Sequence, residues 1–206
     1  MNYLAELYQK SESFPAYAGG YLARVAELCA KLDRDAIGRA VEAMDKARRD
    51  GAALYYMANG GSAAVASHWV NDLLVGSTVK GKPGFRAYCL TDNPSSVTAI
   101  GNDSAFENIF ADQLRVYLRP GDVVYAMSVS GNSENIIRGM VTAKELGAVT
   151  IGVAGMTGGR LLGVSDIAIH IPATSDEYGP VEDAFGVVEH LMAGYLTMLG
   201  GKWMHH

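Results

Sequence analysis

The chain has 206 residues, enough for one domain with a sizeable buried core. Its formal net charge of −5 argues against a nucleic-acid partner, which usually meets a basic patch, so an anionic ligand would have to be held by local features. No apolar stretch reaches membrane-spanning length, and Met1 to Phe14 lacks a basic segment followed by an apolar run; no membrane partner is expected, and a cytoplasmic location is.

The first fifty residues read as helices. Ala36, Ile37, Ala40, Val41, Met44 and Ala47 recur at helical spacing, and Gly51 is a suitable stop. This helical region, 1–51, precedes an α/β core over 52–206 within a single domain. From Ala52 the period changes. Short apolar runs at Ala52 to Met57, Arg86 to Thr91, Asp122 to Met127, Val149 to Ala154 and Asp166 to Ile171 read as buried strands. Helical segments lie between them, at Ala63 to Val75, Ser95 to Gly101, Ala105 to Tyr117 and Asn132 to Leu146. A last helix, Val181 to Leu199, carries Ala184, Val187, Val188, Leu191, Met192, Tyr195 and Leu196 on one broad apolar face. The alternation predicts a three-layer α/β fold: a parallel sheet of about five strands with helices on both faces, and a helical N-terminal extension. Ligands of such sheets sit beyond the carboxyl ends of the strands. Cys29 and Cys89 lack metal-ligand spacing and fit reduced thiols, with Cys89 in the core.

Two strand ends carry unusual loops. In Asn59-Gly60-Gly61-Ser62 the paired glycines let backbone amides approach a ligand, and Ser62 is placed to cap the next helix. In Ser128-Val129-Ser130-Gly131-Asn132-Ser133, three hydroxyls surround one glycine at another helix start. Neutral hydroxyl donors and a helix N-terminus together suit a phosphate. Serine-capped turns are the plain alternative for either loop alone. Neither contains the G-x-G-x-x-G of a dinucleotide site.

The segments Asn59 to Ala64 with His68, Thr98 to Asp103, and Ser130 to Ser133 together resemble the SIS-domain family, and within it the phosphoheptose isomerases. The likeness runs from about Ala52 to the final helix. It implies aldose–ketose isomerisation of a phosphorylated sugar through an enediol, in the manner of sedoheptulose 7-phosphate isomerisation, by a homotetramer. The same scaffold also serves non-catalytic sugar-phosphate sensors and a replication-initiator-binding adaptor. The resemblance places the catalytic carboxylate at Asp72 and the catalytic histidine at His190. It places the phosphosugar at Asn59, Gly60, Gly61, Ser62, Asn102, Asp103, Ser128, Ser130 and Ser133, although capping and turn formation would also account for Asn102 and Asp103.

The chain departs from that pattern. Asp72 stands in place of a glutamate, Val129 in place of a threonine, and Glu182 in place of a glutamine. Val75-Gly76-Ser77-Thr78 lacks the family's arginine, leaving Lys80 and Lys82 as nearby cations. The family likeness also implies a divalent metal, zinc first, at His68, Asp72, Glu182 and His190. His68 and Asp72 share a helix face at i, i+4. Glu182 and His190 are about 12 Å apart along a continuous helix at ~1.5 Å per residue. They would meet if both lean inward, or if Glu182 precedes the regular helix after Pro180.

Overall fold

A computed structural model describes residues 2–202. Three helices come first: α1 (Tyr3–Lys10), α2 (Phe14–Ala30) and α3 (Arg34–Asp50). The Asp33 carboxylate caps α3 by accepting from the backbone N–H groups of Asp35 and Ala36 at 2.9 and 3.0 Å. Gly51, at φ 72°, ends it in the left-handed conformation expected of a helix-stopping glycine. The stripe from Ala36 to Ala47 is buried, as its spacing predicts.

Five strands follow: β1 (Ala53–Met57), β2 (Arg86–Cys89), β3 (Val123–Ser128), β4 (Val149–Ala154) and β5 (Ile167–His170). They form one parallel sheet in the order β2-β1-β3-β4-β5. Between and after them run α4 (Gly60–Asn71), α5 (Pro94–Asp103), α6 (Ala111–Tyr117), α7 (Glu134–Glu145), α8 (Gly159–Val164) and α9 (Tyr178–Leu199). Side chains alternate across the pleat, so each face of the sheet builds its own core. Leu54, Tyr56, Val123 and Tyr125 pack with α2, α3, α4 and α9. Tyr55, Met57, Val124 and Ala126 pack with α6, α7 and Leu161 of α8. This is the predicted three-layer arrangement.

Several boundaries differ from the sequence reading. Helix α4 starts at Gly60 rather than Ala63, because the glycines are its first turn. The 105–117 segment splits into a 3₁₀ turn, Phe106–Asn108, and α6. Helix α8 was not expected; it is only six residues long and opens on a glycine. Helix α9 begins before Pro180, which sits in its first turn where a missing N–H costs nothing, so Glu182 lies inside the regular helix. The broad face of α9 is also divided. Ala184, Val188, Met192 and Leu196 are buried, while Val187, Leu191 and Tyr195 are 45%, 55% and 54% exposed.

The strand order reverses between β1 and β3. These strands are neighbours, with Met57 opposite Ala126, although β2 intervenes in sequence. The loops leaving their carboxyl ends therefore emerge side by side, at the point where open α/β sheets form a crevice.

Candidate active site

The two glycine- and serine-bearing loops enclose a cavity of about 300 Å³ at this crevice. Asn59, Gly60, Gly61 and Ser62 form one wall, and Ser128, Ser130 and Ser133 the other. Asn59 and the buried Asn135 tie the walls together by exchanging side-chain amide hydrogen bonds of 2.9 and 2.8 Å. Ser128 Oγ accepts from the backbone N–H of Gly131 at 3.1 Å and lies 3.4 Å from Ser133 Oγ. Ser133 precedes α7 without capping it through its side chain, and Asn59 stands likewise before α4. Ser62 is not the cap that the sequence suggests. It sits inside the first turn of α4, and its hydroxyl donates to Glu182 Oε1 at 3.0 Å.

A side chain at either of two glycines here would disturb the site, by displacing Glu182 in one case and by meeting backbone in the other. A Cβ at residue 61 would lie 2.6 Å from a Glu182 carboxylate oxygen. Gly131, at φ 65°, meets the loop after β4 so closely that a Cβ would lie 2.1 Å from the Gly158 carbonyl oxygen. The serine loop is thus fixed by backbone-to-backbone contact.

Glu182 also lines a second, larger groove of about 630 Å³ between α2, α4 and α9. Along it the exposed His68 and His190 approach Nε2 to Nε2 at 3.2 Å, with their rings edge to face. His68 Nε2 is 3.7 Å from Asp72 Oδ2 and 3.7 Å from Glu189 Oε1. One potential ligand atom from each of His68, Asp72, Glu189 and His190 falls within 4.8 Å of all the others. Asp72 ends the α-helical part of α4, which widens into a single π turn over Asp72–Gly76. Such turns recur at functional sites because they re-aim side chains at the helix end.

Glu189 is the residue that the sequence reading missed. It is 1% exposed and its Oε1 has no hydrogen-bond partner. Burial, assisted by the Asp72 carboxylate, pushes its pKa up to about 8. Beneath it, Trp69 packs edge-on against Tyr125 at 4.5 Å and tilted against Tyr56 at 5.3 Å. Burial, together with the charge of Glu189, holds both tyrosine hydroxyls well above their ordinary pKa. Two imidazoles and two carboxylates, one of them with an orphaned buried oxygen, are a donor set that fits a divalent cation of the zinc type.

The structure gathers His68, Asp72 and His190 as the resemblance implies, but places Glu182 against Ser62 and Gly61 and brings Glu189 into the group. Asn102 and Asp103 close α5, hydrogen-bond to one another at 2.8 Å, and do not line the serine cavity. No lysine or arginine lines that cavity among the described residues, and Lys82 is engaged elsewhere, donating to the Gly200 carbonyl at 2.8 Å. Val129 does line it, where it contributes no hydroxyl.

The SIS domain family pattern matches residues 20–155. A phosphoheptose isomerase of Geotalea daltonii is 40% identical over 160 residues, covering 78% of this chain and 82% of that one. One of Rhodospirillum rubrum is 36% identical over 159 residues, covering 77% and 83%. Among solved structures, a phosphoheptose isomerase from Francisella tularensis superposes with a TM-score of 0.80 at 25% identity, covering 89% of this chain and 96% of that one. The enzyme from Neisseria gonorrhoeae gives 0.79 at 25% identity, covering 89% and 98%. The chain belongs to the SIS domain family and, within it, to the phosphoheptose isomerase family.

Proposed function

We propose that this chain interconverts a ketose phosphate and an aldose phosphate through an enediol, with sedoheptulose 7-phosphate as the ketose. The observation that carries this reading is that Glu182 lines both cavities, placing them side by side. Neutral donors at one end suit a phosphate; imidazoles and carboxylates at the other suit proton transfer. Ser62 and His68 are six residues apart on α4, on the order of 9 Å, roughly the span of an extended seven-carbon chain and its phosphate ester.

In this reading Ser128, Ser130 and Ser133 hold the phosphate with the uncapped start of α7, and the acidic Glu182 keeps it to their side of the cavity. Asp72 takes the carbon-bound proton and returns it to the neighbouring carbon. His190 moves the proton between the two oxygens. A divalent ion, zinc by its donor set, would be held by His68, Asp72 and His190, and would supply polarisation of the substrate's carbonyl and hydroxyl. Asn102 and Asp103 remain candidates for substrate contact only from outside the cavity wall.

We also infer a homotetramer acting in the cytoplasm as a single domain over 1–206. Support for assembly comes from the exposed half of the α9 stripe, which one chain leaves uncovered. The two free thiols suit a reducing compartment. The test of function is solvent proton exchange on sedoheptulose 7-phosphate, followed by NMR. Exchange at C1 of the ketose, the carbon that shares the enediol with the carbonyl carbon, is expected. Tight binding without exchange would favour the non-catalytic sensor, a reading supported by Val129 and by a cavity lining without lysine or arginine among the described residues.

A further inference from the structure

We infer that Glu189, and not Glu182, is the fourth protein ligand of the divalent cation in this chain. The inference rests on the metal reading above and concerns which side chains complete the site.

Four observations lead to it. Glu189 offers a carboxylate oxygen within 4.8 Å of donor atoms on His68, Asp72 and His190. That side chain is 1% exposed, its Oε1 is unpartnered, and it is aimed at His68 Nε2, 3.7 Å away. A buried carboxylate left without a partner is costly, and a cation in the cluster would relieve that cost. Among the described residues no lysine or arginine pairs with Glu189 to do so. Glu182, one turn pair earlier on α9, already accepts from Ser62 and is packed against the Gly61 backbone.

Charge points the same way. Two neutral imidazoles with the carboxylates of Asp72 and Glu189 balance a dication. Glu182 would add a third carboxylate, one more than the charge of a dication requires. Two histidines and two carboxylates in tetrahedral arrangement are an ordinary zinc set. The adjacency of Glu189 and His190 in sequence is accommodated because His68 reaches across from α4 to meet both.

The test is zinc affinity of the full-length, tag-free protein, stripped with chelator and titrated against a chromophoric competitor. Cobalt(II) spectra report the coordination sphere independently. Wild type should bind one equivalent per chain. Glu189→Gln should weaken zinc at least ~100-fold and shift the cobalt bands, with circular dichroism unchanged. Glu189→Asp, which keeps the charge, should recover part of the affinity. Glu182→Gln should stay within about threefold of wild type, because it removes no ligand. Retained affinity in Glu189→Gln, or a comparable loss in Glu182→Gln, would overturn the inference while leaving a metal site in place. Failure of wild type to bind zinc or cobalt at all, with His68→Ala behaving identically, would overturn the metal reading and this inference with it.

Discussion

The side-chain amides of Asn59 and Asn135 exchange two hydrogen bonds, 2.9 and 2.8 Å long, across the gap between the loops that follow β1 and β3. Among the described residues these are the side-chain hydrogen bonds that join Asn59 to the opposite wall, and Asn135 is buried. Asn135→Ala should therefore leave Asn59 unpaired and let the walls part. Calorimetric affinity for a phosphorylated ketose is expected to fall about tenfold, with stability down ~1–3 kcal/mol. Unchanged affinity would show that the walls are held together by other means.

Ser130→Ala combined with Ser133→Ala should weaken phosphorylated sugars about 100-fold, and leave the weak affinity for the unphosphorylated sugar unaltered. Glu182→Gln should act in the opposite sense on the same pair of ligands. Removing a negative charge from the cavity wall is expected to tighten the phosphosugar several-fold, most clearly at low salt.

Asp72→Asn keeps the shape of the side chain and removes its basicity. Solvent exchange into substrate should fall ~10²–10⁴-fold while the thermal transition stays near wild type. Wild-type exchange in this variant would move the base elsewhere in the cluster.

Arg24 of α2 forms a buried two-pronged ion pair with Glu177, 2.6 and 3.0 Å long, at the start of α9. Burial alone would raise the Glu177 carboxyl, but the Arg24 guanidinium and the N–H and hydroxyl of Thr174 outweigh it and hold the pKa low. A depressed folded-state pKa adds stability above the unfolded value of about 4.3, and that stability is lost as pH falls through the folded value. Acid unfolding should thus begin below about pH 4.3 and be shallower in Glu177→Gln. At neutral pH that variant should lose ~1–3 kcal/mol, because the buried Arg24 keeps only the half-exposed Glu27, 2.8 Å away, as its counter-charge. Urea titrations at several pH values measure both effects.

Leu191→Glu places a charge on the exposed half of the α9 stripe. Light scattering should show a smaller assembly than wild type at micromolar concentration, with the far-ultraviolet spectrum unchanged.

The fold was readable because each strand is a short apolar run bounded by turn residues; Val149–Ala154 is matched residue for residue. Helix α8 was not readable, since its identity depends on Gly159 fitting against Gly131 rather than on any apolar period. The serine loops announced themselves by composition. Asn135 did not, because an asparagine one position inside a helix is ordinary until its partner 76 residues away is known. Glu189 left a trace that could have been followed. It lies four residues after Phe185 on the buried face, where a carboxylate has no place unless something there requires it. The family pattern directed attention to Glu182 instead, and helix geometry already made that residue a poor companion for His190.

The reversal of strand order has a consequence for assembly of the chain. The two cavity walls are separated by β2, α5 and α6, so they meet only after β3 has docked beside β1. A nascent chain ending before residue 133 holds the first loop but has nothing for it to face. Ligand can therefore recognise only molecules in which the central pair is already joined, and its binding energy is added wholly to the finished sheet. Substrate supply would then set how long each copy survives proteolysis, in addition to how fast it works.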